Sequence, residues 1–348
     1  MTESPPAPSE PGQAYSGRVE PPAMGPWARA LRLLAADRAA MLSLALLAMI
    51  TALCLAAPLY ATYVAHTDPF VSNVDGEITL RGKRVPVVQP STEGLGLGSA
   101  PLGPTWEIGN FLLGADEQGR DIAARLLYGG RNSLLIAGAS TVLCLVLAAL
   151  TGLVAGFFGG FVDTVISRVL DVLWAFPIYL LAISLSIVLI TKGFDIGPIS
   201  ISAGSLALPI LIIGIVYVPY VARPIRGQVL SLKESEFVLA ATALGVPAQR
   251  ILLRDILPHV MTTLIVFVPL LMAINMLTES ALSFLSIGVQ PPDASWGTII
   301  QDGTNLIYTR PMVAIAPGIA IVLTVLSLNL LGDGVRDALD PRSKLRLR

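Results

Sequence analysis

Charge is scarce in this sequence. Asp, Glu, Lys and Arg make up 14% of its 348 residues, against about 25% in a soluble domain, and mean hydropathy is +0.72. That composition excludes a water-soluble chain and identifies an integral membrane protein. No basic excess is left over. The formal net charge is −1, which argues against nucleic acid as a partner. Cysteine is nearly absent. Cys54 and Cys144 both sit in apolar runs, so no disulfide or metal framework is expected, and both read as small apolar residues. The two histidines, His66 and His259, flank different apolar stretches. No metal site, cofactor or catalytic residue is expected. A G-x-x-x-x-G-K-[ST] phosphate loop is also missing. The nearest approach, Gly82-Lys83, continues with Arg84. The chain therefore has no such loop with which to bind ATP.

What is present is long apolar runs. A spanning helix needs about 20 mostly apolar residues. Six segments qualify: 40–64, 133–158, 172–191, 205–222, 260–286 and 312–332. Open sheets cannot cross lipid, so the expected fold is all-α and polytopic, with six transmembrane helices. Pro177, Pro209, Pro219 and Pro269 fall inside these segments. They suit either moving parts or tolerated kinks. Residues 1–26 hold seven prolines and read as a disordered tail without signal-peptide character. In "WARALRLLAADRAA" (27–40), Trp27, Leu31, Leu34 and Ala35 recur at helical spacing. That predicts an amphipathic helix on the membrane surface, leading into the first span over 27–64.

Lys and Arg set the orientation. With the N-terminus inside, fifteen fall on the inner side and eight on the outer, six of those eight in the single long segment 65–132. Both termini are expected in the cytoplasm. Arg120, Arg125 and Arg131 stand close to a span on the outer side, a mild violation of the rule. The extracytoplasmic loop 65–132 contains "GEITLRGKRVPVV" (76–88), patterned for a short hairpin, and the flexible "GLGLGSAPLGP" (94–104). "GADEQGRD" (114–121) lacks the ligand register of a calcium loop and reads as a capped turn. A five-helix core follows over 133–332, and 333–348 is a cytoplasmic tail.

Between the fourth and fifth spans lies "EFVLAATALGVPAQRILLRDILPH" (236–259). Ser231 and Glu234 have capping-box spacing. Phe237, Ala240, Ala241 and Leu244 fall on one helical face. Gly245 suits the residue after a helix end, where φ is positive. Pro247 suits the first turn of a second helix, which should stop before Pro258. The result is a cytoplasmic helical hairpin with a small-residue apolar face. Such a face has to be covered, by the protein's own bundle or by a partner.

"LAATALG" (239–245) followed by "DILP" (255–258) resembles the EAA loop of ABC importer permeases. Ala240, Ala241, Gly245, Leu257 and Pro258 fall on pattern positions. Leu239 stands where Glu is usual and Asp255 where Ile is usual, and Glu236 lies one helical turn earlier. "LLGADEQGRDIAARLLYGGRNSL" (112–134), "ESALSFLSIGVQPPDASWGTIIQDG" (279–303) and "NLLGDGVRDALDPR" (329–342) resemble further signatures of the C-type permease subunit of dipeptide, oligopeptide and nickel importers. Together these cover roughly two-thirds of the chain. The resemblance implies a heterodimer with a second permease subunit, two cytoplasmic ATPase subunits and an extracytoplasmic substrate-binding protein. It also implies that the hairpin, about 224–258 and centred on 231–258, docks on an ATPase. On that reading the chain is a non-catalytic subunit of the bacterial inner membrane. Peptides are the expected solute, with nickel chelates or glutathione-like solutes as the alternative.

Three candidate path or gate residues, Glu279, Asn275 and Trp296, stand out near the outer membrane face. Glu279 lies toward the outer end of the fifth span, where an acid must face the bundle interior or a cavity. It reads either as part of the translocation path or gate, or as a helix–helix hydrogen-bonding group. Asn275 reads as interhelical glue or as a path residue. Ser295 can cap the short helix that follows, and Trp296 suits either a gate or an interfacial anchor. An ion-coupled transporter would need further intramembrane charges and inverted repeats. A membrane enzyme would need a paired catalytic constellation. The sequence shows neither pattern.

Overall fold

A computed structural model describes residues 25–80, 82–90, 99–109, 111–196, 199–202 and 204–340. Residues 1–24 of the proline-rich tail, 94–98 of the glycine-rich stretch and 341–348 lie outside the described residues. The chain opens with α1 (Pro26–Ala36), which exposes Trp27 and Leu31 and buries Ala30. Asp37 ends it and caps α2 (Arg38–Leu55), its carboxylate accepting from the N–H of Ala39 and Ala40 at 2.9 and 3.4 Å. A short turn α3 (Ala57–Leu59) and a π-helical turn (Tyr60–Ala65) close the first apolar segment.

The segment that follows carries two small antiparallel pairs. β1 (Glu77–Leu80) pairs with β2 (Lys83–Pro86), as the alternation over 76–88 predicts. β3 (Val88–Pro90) pairs with β4 (Ser99–Pro101). α4 (Ile122–Phe158) starts eleven residues before the apolar run expected to hold it. The reason is local. Asp121 caps the helix by accepting from Ala123 and Ala124 at 2.8 and 3.4 Å, and the small residues of "IAARLLYGG" pack instead of looping. At 37 residues α4 is about 55 Å long, well beyond the ~30 Å hydrocarbon core.

Two expected spans are broken. α5 (Gly160–Ala175) and α6 (Ile178–Lys192) meet at 90°. The expected span 172–191 straddles that break. Pro177 forces Phe176 out of helical geometry, to φ −90°, ψ 140°. After α6 comes a hairpin of β5 (Phe194–Ile196) and β6 (Ile199–Ile201). α7 (Ala207–Val216) and α8 (Val218–Lys233) bend by 43° at Tyr217, just before Pro219, inside the expected span 205–222. α9 (Glu236–Ala243) and a short α10 (Ala248–Arg250) lead through a π-helical turn (Ile251–Ile256) into α11 (Leu257–Phe284). α12 (Trp296–Asp302) and α13 (Met312–Leu339) complete the described chain. Pro224, Pro269 and Pro317 lie within α8, α11 and α13 without ending them.

Among the described residues, four helical stretches are long and apolar enough to cross a membrane, and counting each bent pair as one span brings the number to six. The core is built around α4, which packs on α8, α11 and α7. Ile136 and Cys144 of α4 lie buried with Ile213, Val221, Ile225 and Leu271. Gly152 and Gly156 make the closest crossing. A β-carbon at Gly152 would lie 2.8 Å from Ile225 Cγ2 and 2.9 Å from the Ala222 oxygen. One at Gly156 would lie 2.8 Å from Val229 Cβ. Small residues four apart let two helix backbones touch in lipid, where helix association rests on packing. On the far side of α4, Cys54, Met276, Trp296 and Ile321 join α2, α11, α12 and α13. The molecule thus has two polar ends, one carrying segment 66–121 with α12, the other carrying α9.

Candidate functional site

At the α9 end, the expected capping box does not form. Ser231 and Glu234 belong to the last turn and C-cap of α8, and Ser235 is the N-cap of α9. Its hydroxyl donates backward to the Leu232 oxygen at 2.5 Å. The C-terminal signal in the sequence is realised in full. Gly245 has φ +74°. Its N–H reaches the Thr242 oxygen at 3.0 Å, and the N–H of Val246 reaches the Ala241 oxygen at 3.1 Å. These two bonds are the Schellman closure.

α9 is held from one side. Val238 is buried, and the Phe237 ring stacks on His259 of α11 at 5.4 Å. The other side is open. Leu239 is 57% exposed and Leu244 83% exposed, and Glu236 and Ala240 are exposed beside them, with Ala241 half-buried. Pro247 caps α10 from outside it. The second helix does not stop at Pro258. Leu257 and Pro258 open α11, and the helix runs without a break from Ala248 to Phe284. Pro258 has no N–H and would clash with the carbonyl four residues back. The π-helical turn just before it widens the helix and absorbs both problems.

At the other end, the three candidate path or gate residues are all buried. Asn275 donates to Thr141 Oγ1 of α4 at 3.0 Å. Trp296 is 1% exposed, so it is no interfacial anchor. Its indole Nε1 donates to the Leu126 oxygen at 2.9 Å. Glu279 has no exposed surface. Ser283 Oγ donates to its Oε1 at 2.7 Å and Ser280 Oγ to its Oε2 at 3.4 Å. The hydroxyls of Ser133 and Ser295 complete the shell. Ser133 also accepts from the N–H of Trp296 at 3.1 Å, so the fold brings Glu279 and Trp296 together through one serine. Ser295 caps α12 in a full capping box with Thr298, as expected.

An ion cluster beside this shell was not legible as such. Asp116 Oδ2 receives Arg120 Nε at 2.7 Å and lies 3.4 Å from Arg125 Nε. Asp302 Oδ2 lies 3.2 Å from Arg120 and 3.0 Å from Arg125. Arg125 also donates to the Pro69 oxygen at 3.1 Å. The hint was the excess of arginine on the side expected to be outside. Arg120 and Arg125 are buried in these ion pairs, whereas Arg131 is exposed. Arg120, Arg125 and Asp302 line a cavity of about 390 Å³ together with Ser283, Gln290 and Pro291. Burial raises the Asp302 carboxyl, with both arginines opposing. "GADEQGRD" is indeed a turn, with Asp116 Oδ1 accepting from Gln118 and Arg120 N–H at 2.9 and 3.0 Å. Burial pushes the Asp121 carboxyl up to about 6 against its two capping bonds, and its Oδ2 has no hydrogen-bond partner.

The chain is thus a bundle of broken and long apolar helices, with a polar hairpin at one end and a buried polar lattice at the other, the architecture of a membrane permease. Residues 148–345 match the family described as binding-protein-dependent transport system inner membrane component. Residues 25–73 match the N-terminal TM domain of oligopeptide transport permease C. The chain is 39% identical over 231 residues to a dipeptide transport system permease protein of Alkalihalophilus pseudofirmus, covering 66% of this chain and 72% of that one. To a glutathione transport system permease protein of Pectobacterium atrosepticum it is 38% identical over 232 residues, covering 67% and 73%. To an oligopeptide transport system permease protein of Bacillus subtilis it is 38% identical over 229 residues, covering 66% and 71%. The inward-facing MetNI methionine ABC transporter superposes with a TM-score of 0.50 at 16% identity, over 62% of this chain and 96% of that one, a likeness of fold alone. The chain belongs to the binding-protein-dependent transport system inner membrane component family and is an integral membrane protein of the inner membrane.

Proposed function

We propose that this chain is the permease subunit of an ABC importer for di- or oligopeptides. It forms half of the pathway with a second permease subunit, two cytoplasmic ATPase subunits drive it, and an extracytoplasmic binding protein loads it. Peptides are favoured because dipeptide and oligopeptide permeases recur among its relatives. The glutathione permease relative keeps a glutathione-like solute as the second reading. Both termini lie in the cytoplasm, and segment 66–121 with α12 lies outside. The chain is not itself an enzyme.

The observation that carries this reading is the open face of α9. Leu239, Ala240 and Leu244 have no cover from the bundle, and an exposed apolar face rimmed by polar residues is a contact surface. α9 is short and rigidly capped, and α10 leads into one continuous helix across the membrane. Closure of the ATPase pair against α9 would therefore reach α11 as a push on a rod. Asn275 and Glu279 lie on that rod and Trp296 of α12 packs beside it, and the burial of all three supports a gate role over direct contact with solute.

Co-purification tests this. Leu244 is solvent-facing, so Leu244→Glu leaves the fold intact. ATPase subunits should accompany the wild type and be lost from Leu244→Glu. Equal recovery with both chains would overturn the assignment of α9 as the coupler.

A further inference from the structure

Glu279 is built into the lattice by more than its own hydrogen bonds. Three of the serines around its carboxylate each accept a backbone N–H from the segment that follows α11. Ser283 Oγ accepts from Val289 at 3.1 Å, Ser133 Oγ from Trp296 at 3.1 Å and Ser295 Oγ from Thr298 at 3.3 Å. A hydroxyl has one proton to donate and lone pairs to accept. Ser283 spends its proton on the carboxylate and its lone pair on the main chain, while Ser133 and Ser295 border the same carboxylate and accept from the main chain. The segment is tied down twice more, by Asn132 Nδ2 donating to the Ala294 oxygen at 2.8 Å and by the Trp296 indole on Leu126.

Four glycines leave room for this arrangement. A β-carbon at Gly288 would collide with Ser283, at Gly297 with Ser280 and Ser283, at Gly129 with Ser295 and Ile299, and at Gly130 with Cys54 and Trp296. Glu279 does not line the adjoining cavity, although Ser283 does. A carboxylate that served passing solute would have to face an opening, and this one is fully buried among serines.

The carboxylate therefore fastens together α4, α11 and the segment 285–303. α11 is the continuation of the helix that starts at the α9 hairpin. We propose that Glu279, acting through Ser133, Ser283 and Ser295, is a positioning residue that makes segment 285–303 move with α11. The hairpin at one face and the loop segment at the other are then two ends of one rigid connection. This rests on the importer reading above and adds to it the residue that holds the far end.

The test is nucleotide-dependent labelling of the assembled transporter in proteoliposomes. Cys54 and Cys144 are buried, so Asp293→Cys supplies this chain's reactive thiol, in the half-exposed loop, and labelling is read on this subunit's band alone. Its rate with a membrane-impermeant maleimide is read with and without ATP plus vanadate. With Glu279 in place the rate should change several-fold on trapping. With Glu279→Gln it should become fast and insensitive to nucleotide. An amide replaces one of the two acceptor oxygens with a donor that faces hydroxyl donors. Ser133→Ala, a milder change, should reduce the nucleotide response and add nothing further to Glu279→Gln.

A purely structural role would lower thermal stability and leave the nucleotide response intact. That outcome, or a reactive thiol indifferent to nucleotide with Glu279 present, overturns the proposal. So does a changed preference among peptides in Glu279→Gln with the response retained, which would make Glu279 a path residue. Absence of ATPase subunits or of nucleotide hydrolysis in the assembled Asp293→Cys transporter would instead sink the importer reading.

Discussion

Arg226 of α8 and Asp163 of α5 meet fork to fork, Nε to Oδ1 at 2.5 Å and Nη2 to Oδ2 at 2.6 Å, although 63 residues separate them. Arg223 reaches Asp171 at 2.8 Å one stretch further along the same two helices. α5 buries only Leu170 among its described side chains. These two pairs, with Leu170 in the core and Trp174 stacked on Tyr220, set where α5 lies. Arg226→Lys keeps the charge but loses the planar fork. It should cost about 1 kcal/mol. A thermal-melt cycle of Arg226→Lys, Asp163→Asn and the double variant should show the coupling. Strict additivity would mean that the pair holds nothing.

Asp121 gives a pH dependence of definite sign. An unfolded aspartate titrates near 3.9, and burial in the fold raises Asp121 to about 6. Folding therefore favours the protonated form. Its contribution to stability is fully present below about pH 4 and is lost as pH rises to about 6, a loss of about 3 kcal/mol. Asp302, also raised by burial, contributes with the same sign. Asp121→Asn retains a capping oxygen and removes the titration. Unfolding of the purified chain in detergent between pH 4 and 7.5 should lose much of its slope in this variant, and the variant should be the more stable chain at pH 7.5.

The α4–α8 crossing depends on two absent side chains. Gly156→Leu drives a branched group into Val229 and the Arg226 backbone. Overpacking typically costs about 1–3 kcal/mol. Gly138 is the control, since a β-carbon there meets nothing nearer than 3.9 Å. Gly138→Ala should melt with the wild type while Gly156→Leu melts several degrees lower. Equal melting would show that the two helices are not in contact.

Gly245 has open space where a β-carbon would go, so size is no obstacle there. Backbone conformation is the obstacle. At φ +74° an L-residue costs about 1–2 kcal/mol. Gly245→Ala should therefore loosen the hairpin without disturbing the bundle. ATPase activity per transporter should fall severalfold, while the melting temperature of the isolated chain stays within about a degree. Gly245→Asn, which tolerates the left-handed region better, should restore part of the activity.

Much of the hairpin was legible because its signals are local. A glycine that needs positive φ and apolar residues three and four apart each act within one or two turns of chain, although Pro247 sits one place earlier than expected, as the N-cap and not in the first turn. The same locality gave Ser295 as a cap and the strands around residues 77–86. Failures came where a local signal had a rival. Ser231-x-x-Glu234 has the spacing of a capping box, yet α8 simply runs on through Ser231, and Ser235 takes the cap position. Pro258 reads as a stop, yet a π-helical turn lets the helix pass through it. α4 began earlier than its apolar run, because Asp121 and a cluster of small residues can start a helix outside the lipid core.

By itself the sequence determined that this is a membrane protein of six apolar segments with a polar hairpin near its centre, and that it carries no phosphate loop of its own. Composition and run length fix those points, because every backbone polar group in lipid must be satisfied within helices. Only the tertiary structure decided that Glu279 is enclosed by serines, that Trp296 is buried, and that Arg120 and Arg125 are neutralised by Asp116 and Asp302. Those relations join residues up to 182 positions apart. No periodicity records them, since hydroxyls and carboxylates carry no direction until packing brings their partners within about 3 Å.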